Sequence, residues 1–145
     1  MTALNPITRL PSLRPVSIFR GLSKQALFSI ARKATEVTYP AGTTVVREGE
    51  PGDSMGVIVA GAVDVCKGEH IVATLAAGDY FGELALIDGE PRTATVVATE
   101  DLTLLTVKSE DFDVLLTDPY FSRAVMRNLA QRFREVQDAG LAAKI

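Results

Sequence analysis

Between Thr35 and Lys108 the chain breaks into short β-prone runs, each closed within a few residues by glycine, proline or an acidic turn residue. The runs are Thr35–Tyr39, Thr43–Glu48, Met55–Ala60, Ala62–Lys67, Ile71–Leu75, Ala94–Ala98 and Leu102–Val107. Nine of the chain's 11 glycines fall in this stretch: Gly42, Gly49, Gly52, Gly56, Gly61, Gly68, Gly78, Gly82 and Gly89. Strands and turns alternating at such regular spacing build a sandwich or a barrel. Pro40-Ala41-Gly42, Glu50-Pro51-Gly52-Asp53 and Gly68-Glu69 stand where turns are required, because proline presets φ and glycine accepts a positive one. The expected fold is mainly β with flanking helices (α+β), an eight-stranded jelly-roll β-barrel.

On either side the periodicity becomes helical. Asn5 to Leu13 reads as a short helix beginning at Pro6. From Pro15 to Ala34, the residues Ile18, Phe19, Leu22, Leu27, Ile30 and Ala31 recur at helical spacing, with Ser23 as N-cap for Lys24 to Ala34. After the strands, Ser109-Glu110-Asp111 offers a hydroxyl cap and two acids for the positive end of a helix dipole. Asp118-Pro119 repeats the signal, with an Asx cap and proline at the first helical position. The helix from Pro119 carries Phe121, Val125, Leu129, Phe133 and Val136 along one stripe and can end at Gly140. That stripe calls for packing on the barrel or on another subunit. The expected organisation is a single domain over residues 1–145: N-terminal helices to residue 34, a β-roll over 35–108, and a hinge and lid helices over 109–140.

Composition excludes several function classes. A net charge of −3 gives no electrostatic footprint for a nucleic-acid duplex. One cysteine, Cys66, cannot close an internal disulfide, and one histidine, His70, cannot supply a zinc or iron ligand set. Jelly-roll metal oxygenases need two or three histidines and a carboxylate, and no serine or cysteine here has a histidine partner by motif. The expectation is a protein without catalytic activity, cofactor or metal. No apolar run approaches the ~18 residues of a membrane span. The segment Met1–Pro15, with Pro6, Pro11, Pro15, Arg9 and Arg14, is unlike a signal peptide, so a cytoplasmic location is expected.

The segment Phe81–Val96 carries the chemistry. Gly82 lacks a Cβ and lets a ligand approach the backbone, and Leu84-Ala85-Leu86-Ile87 is compact enough to form one helical turn whose first N–H groups attract an anion. Gly89-Glu90-Pro91 turns the chain back so that Arg92 reaches the same place, and a guanidinium forks two hydrogen bonds onto a phosphate. Glu83, a carboxylate, would repel that anion unless it accepted a hydroxyl proton nearby, which asks for a ligand with phosphate and sugar hydroxyl side by side. Thr93 can add a hydroxyl donor. Spacing alone leaves another arrangement open: Glu83 and Arg92 paired with each other across a loop, the glycines serving only turns.

Phe81-Gly82-Glu83-Leu84-Ala85-Leu86 followed by Pro91-Arg92-Thr93-Ala94-Thr95-Val96 resembles the phosphate-binding cassette of the cyclic-nucleotide-binding domain family. Ile18–Ser23, Tyr39–Gly42, Glu48–Asp53 and Gly61–Val63 resemble its entry segment and turns, so the likeness covers nearly the whole chain. The resemblance implies that Glu83 receives the ribose 2′-hydroxyl and Arg92 clamps the cyclic phosphate. It implies too that amides near Leu84 and Ala85 complete the cradle, with Gly82 giving clearance. Thr93 stands where members carry Ala, Ser or Thr and leaves the base open; the expectation is cyclic AMP rather than cyclic GMP. Val57, Val63, Val65, Leu75 and Leu84 would line the base pocket, some of them as plain core. In the family the last helix closes over the base, making Arg123, Arg127, Arg132 and Arg134 candidate lid residues, with Arg127 placed in the pocket.

The function implied is that of a sensor whose C-terminal helix moves on binding and is read by an effector domain or protein. Two other readings stay open: the sensory piece of a catabolite-activator-type transcription regulator without its DNA-binding part, and a jelly roll that no longer binds nucleotide.

Overall fold

The computed structural model describes residues 5–138. Its strands are β1 (Thr35–Tyr39), β2 (Thr44–Val46), β3 (Ser54–Ala60), β4 (Ala62–Lys67), β5 (His70–Ala76), β6 (Tyr80–Phe81), β7 (Thr95–Ala98) and β8 (Leu102–Lys108). They form two four-stranded antiparallel sheets, ordered β1-β8-β3-β6 and β2-β7-β4-β5, which face each other as a jelly roll. Seven strands coincide with the β-prone runs. The eighth, β6, is only two residues long and exists because Phe81 and Tyr80 pair with Gly56 and Val57 of β3. Gly56 accommodates that pairing directly: a Cβ there would lie 3.0 Å from the Phe81 ring.

Alternation along β3 and β8 divides the apolar residues between two cores. Ile58, Phe81, Leu102 and Leu104 point between the sheets, where they meet Val63, Val96 and Ala98. Met55, Val57, Leu105 and Val107 point the other way and pack on Leu13, Phe19, Ile30, Phe112, Phe121 and Val125 from the helices. Val57 therefore belongs to the helix-side core and not with Val63, Val65 and Leu75, the other strand residues expected around a base.

Among the described residues five α-helices and a 3-10 turn at Ser17–Phe19 flank the strands: α1 (Pro6–Leu13), α2 (Lys24–Lys33), α3 (Glu83–Asp88), α4 (Ser109–Leu116) and α5 (Pro119–Asp138). Ser23 caps α2 through the Ala26 amide at 3.1 Å. Asp118 caps α5, its Oδ1 accepting from the Tyr120 and Phe121 amides at 2.9 and 3.3 Å. Ser109 does not cap α4. Lys108 holds the cap position, and Ser109 is already helical, its amide donating to the Asp53 carbonyl at 2.8 Å and its hydroxyl to Glu110. Strand β8 runs straight into α4, leaving the serine no extended residue to occupy. The expected stop at Gly140 lies outside the described residues.

The joint between α4 and α5 is clamped by aromatic rings. Phe121 meets Phe112 edge-on at 5.6 Å and stacks on Phe19 at 6.0 Å, all three fully buried. Burying each ring contributes about 1.5–3 kcal/mol, enough to fix the start of α5 against the roll. Farther along, α5 exposes Met126, Phe133 and Val136. No helix among the described residues is long and apolar enough to cross a membrane.

Candidate functional site

The segment after β6 turns twice through left-handed glycines. Gly82 (φ +90°) opens α3 and Gly89 (φ +70°) closes it, conformations that L side chains resist. The helix is one residue longer at each end than the expected turn 84–87, so Glu83 is its first residue and is buried. Leu84 is half-buried, Ala85 buried and Thr93 exposed. The clearance at Gly82 serves the arginine: a Cβ there would come within 2.5 Å of Arg92 Nη1.

Arg92 is only 9% exposed and is held by main chain throughout. Its Nη1 donates to the Gly82 carbonyl at 3.0 Å and its Nη2 to the Ser54 carbonyl at 2.8 Å. Its own amide donates to Glu50 O, and its carbonyl accepts from Gly49 N, both at 2.8 Å. The loop before β3 is thus zipped to the arginine. Burial lowers the guanidinium's pKa, and the carboxylates of Asp53 and Glu83 oppose that shift. The group stays charged, with three of its five N–H donors beyond the two carbonyl bonds.

Glu83 does not pair with Arg92. Its Oε1 accepts from Arg132 Nη1 at 3.2 Å, an ion pair between a buried carboxylate and a half-exposed guanidinium on α5. Its Oε2 is buried and has no hydrogen-bond partner. A buried carboxylate oxygen left unsatisfied carries a desolvation cost of about 1–3 kcal/mol or more, so it is an acceptor poised for a donor.

Two residues without any motif signal join this cluster. The Arg132 guanidinium lies 5.7 Å from the centre of the Tyr80 ring, a cation–π contact. Asn128 Nδ2 donates to the Tyr80 hydroxyl at 2.7 Å and to Ser17 Oγ at 2.9 Å. Burial, chiefly, raises the Tyr80 pKa above its ordinary value, against the opposing hydrogen bond from Asn128. Asn128 and Arg132 are four apart on one helix and so share a face, a spacing that could have drawn attention to the pair.

Two cavities of about 230 Å³ each flank the cluster. One is lined by Arg92 with Asp53, Ser54, Phe81 and Leu104. The other is lined by Leu75, Tyr80, Asn128 and Arg132. Of the residues expected around a base, Leu75 borders the second cavity, Val65 is half-buried beside the inner core, and Val63 is fully buried within it. Arg127 is exposed, as are Arg123 and Arg134. Of the four candidate lid arginines, Arg132 is the one that reaches the Phe81–Val96 segment. The arrangement brings together a desolvated cation with spare donors and a carboxylate with a spare acceptor, joined through Gly82. It complements a small anion that carries a hydroxyl close by.

Residues 36–118 match the family model of the cyclic nucleotide-binding domain. Over 118 residues, 81% of the chain, it is 39% identical to a cyclic nucleotide-gated potassium channel of Rhizobium etli, of which the match covers 33%. Over 106 residues, 72% of the chain, it is 37% identical to a cAMP-dependent protein kinase regulatory subunit of Aspergillus niger, of which the match covers 26%. The chain therefore spans a third or less of the length of these relatives. Among solved structures, that of Sp-2Cl-cAMPS bound to PKAR CBD2 superposes with a TM-score of 0.83 at 25% identity, over 97% of this chain and 94% of that one.

Proposed function

The chain belongs to the cyclic nucleotide-binding domain family, and from that membership we propose that it is a cytoplasmic sensor that binds a 3′,5′-cyclic nucleotide and reports it through α5. The observation that carries this reading is the buried, unpartnered Oε2 of Glu83 directly after the carbonyl that holds Arg92. A ribose 2′-hydroxyl would satisfy that oxygen, while the cyclic phosphate would take the free donors of Arg92 and the amides near Leu84 and Ala85. The base would extend toward Leu75, Val65 and the Arg132 face of α5.

Cyclic AMP is proposed over cyclic GMP. The names of the kinase regulatory subunit and of the bound analogue both refer to cAMP, and Thr93 by itself does not decide the base. The ligand binds and is not turned over, so purified protein should return it intact.

Binding shifts α5 because Glu83 is shared. Its Oε1 is tied to Arg132 on α5 and its Oε2 would be tied to the ligand, so occupancy of one biases the other. A preference of about 1–3 kcal/mol for one helix position gives a coupling of roughly 5- to 150-fold. An effector domain or protein contacting α5 would read that shift. Calorimetry with cyclic AMP, cyclic GMP and 5′-AMP side by side tests ligand class and base together. Cyclic AMP should bind tightest and 5′-AMP weakest; failure of every cyclic purine at millimolar concentration removes the proposal.

A further inference from the structure

Among the glycines, Gly52 has an unusual reason to be glycine. Its φ lies outside the left-handed region, so its backbone would accept an L side chain. What excludes one is space: a Cβ at this position would lie 2.7 Å from both Cζ and Nε of Arg92, and 2.9 Å from the Cβ of Ala85 in α3. The same loop is fastened to Arg92 by the Glu50 carbonyl and the Gly49 amide. Two residues beyond Gly52, Ser54 supplies the carbonyl that takes Nη2.

We propose that Gly52 is a positioning residue for phosphate recognition: its bare Cα is the seat on which the Arg92 guanidinium and the Ala85 end of the cradle rest at their required height. This inference rests on the cyclic-nucleotide reading and adds to it a determinant outside the Phe81–Val96 segment. The guanidinium is the far end of a flexible side chain, so a methyl group at position 52 displaces it from Gly82 O and Ser54 O, while the Ala85 Cβ must shift with α3 to make room. The arginine keeps its charge and loses its aim.

The test is Gly52→Ala, followed by calorimetry with cyclic AMP and by ¹⁵N spectra of the arginine side chains without ligand. Arg92 signals are assigned by their loss in Arg92→Ala. The expected results are affinity weakened by about 10- to 100-fold, the scale of impaired hydrogen bonds to a charged group, and shifted Arg92 Nε–H signals exchanging faster with solvent. In an Arg92→Lys background the effect of Gly52→Ala should shrink, because the slimmer side chain has no planar fork against the seat.

Affinity within twofold of the parent, or unchanged Arg92 signals, overturns the proposal. Should Gly52→Ala not fold, Gly52→Ala/Ala85→Gly relieves the contact with α3 while keeping the one with Arg92; if that also fails to fold, the glycine serves the loop and the proposal is overturned. The ligand-free spectra keep the two readings separable. A parent chain that binds no cyclic nucleotide defeats the sensor reading, while displacement of Arg92 in the variant still decides the role of Gly52.

Discussion

The two charged side chains of the Phe81–Val96 segment are anchored in opposite ways. Arg92 is held by carbonyls of β3 and of the turn into α3, and its backbone by the loop before β3, so every restraint on it comes from main chain in the roll. Glu83 is held by a single side chain, Arg132, which stands on α5 and is about half exposed. Main-chain restraints move only if the backbone that carries them moves, and Ser54 is itself part of β3. A contact between two side chains breaks by rotation about a few bonds, and the half-exposed Arg132 leaves this ion pair partly screened by solvent. On the proposed reading the phosphate would therefore meet a fixed socket, while the sugar would meet a carboxylate tied to α5.

If that contrast is right, perturbing the two ends should have different consequences. The largest effect is expected for Arg92→Ala: a buried ligand phosphate would lose its ion partner, at about 2–5 kcal/mol of affinity by calorimetry. Hydrogen exchange along α5 in the ligand-free protein should hardly change, since the Arg92 guanidinium bonds to Gly82 and Ser54 and not to that helix. Binding as tight as the parent's would show that the phosphate lies elsewhere.

Glu83→Gln comes next. It keeps the shape and loses the charge that Arg132 and a ribose hydroxyl would share, so affinity should fall by about 1.5–3 kcal/mol, less than for Arg92→Ala. Here the free protein should change as well, with faster amide exchange in Pro119–Asp138 once Arg132 has lost its partner. A variant that weakens binding while leaving α5 exchange untouched would separate the sugar end from the helix and break the comparison.

Arg132→Ala should alter affinity by about 1 kcal/mol or less, because the pair is partly solvent-screened. Its mark is on communication: exchange protection in α5 should cease to depend on ligand. A ligand response that survives the substitution would move the coupling to another contact, Asn128 with Tyr80 being the nearest.

The sequence displayed the roll because a period of two, cut by glycines, has few other solutions, and it displayed Gly82, Glu83 and Arg92 because their types and order are chemically demanding. It concealed what depends on partners distant along the chain. Val57 could not be assigned to a side, since β3 is buried on both faces from Met55 to Ile58 and its alternation carries no polar mark. Strand β6 is two residues long and is created by its neighbour. Ser109 carries a capping side chain, but the direct passage from β8 to α4 assigns the cap to Lys108. Four arginines on α5 are equivalent in composition, and only the turn of the helix against Tyr80 singles out Arg132. Gly52 reads as a turn glycine until the guanidinium beside it is in place.

The remaining effect is on stability and not on affinity, and concerns Tyr80, where the helix end of the cluster meets the roll. Its folded pKa is raised, mainly by burial, so the neutral phenol is favoured in the native state. In the unfolded chain a tyrosine ionises near pH 10, and above that the native state holds more protons than the unfolded one. Stability from this group is therefore complete below about pH 10 and is lost as pH rises through the higher folded value. Tyr80→Phe should be less stable at neutral pH by about 0.5–1.5 kcal/mol, through loss of the Asn128 hydrogen bond, yet lose less on going from pH 9 to pH 11. Urea midpoints at the two pH values check this. Equal slopes in the two proteins would mean that the phenol is not shielded, and that the face of α5 bearing Asn128 and Arg132 stands off the roll.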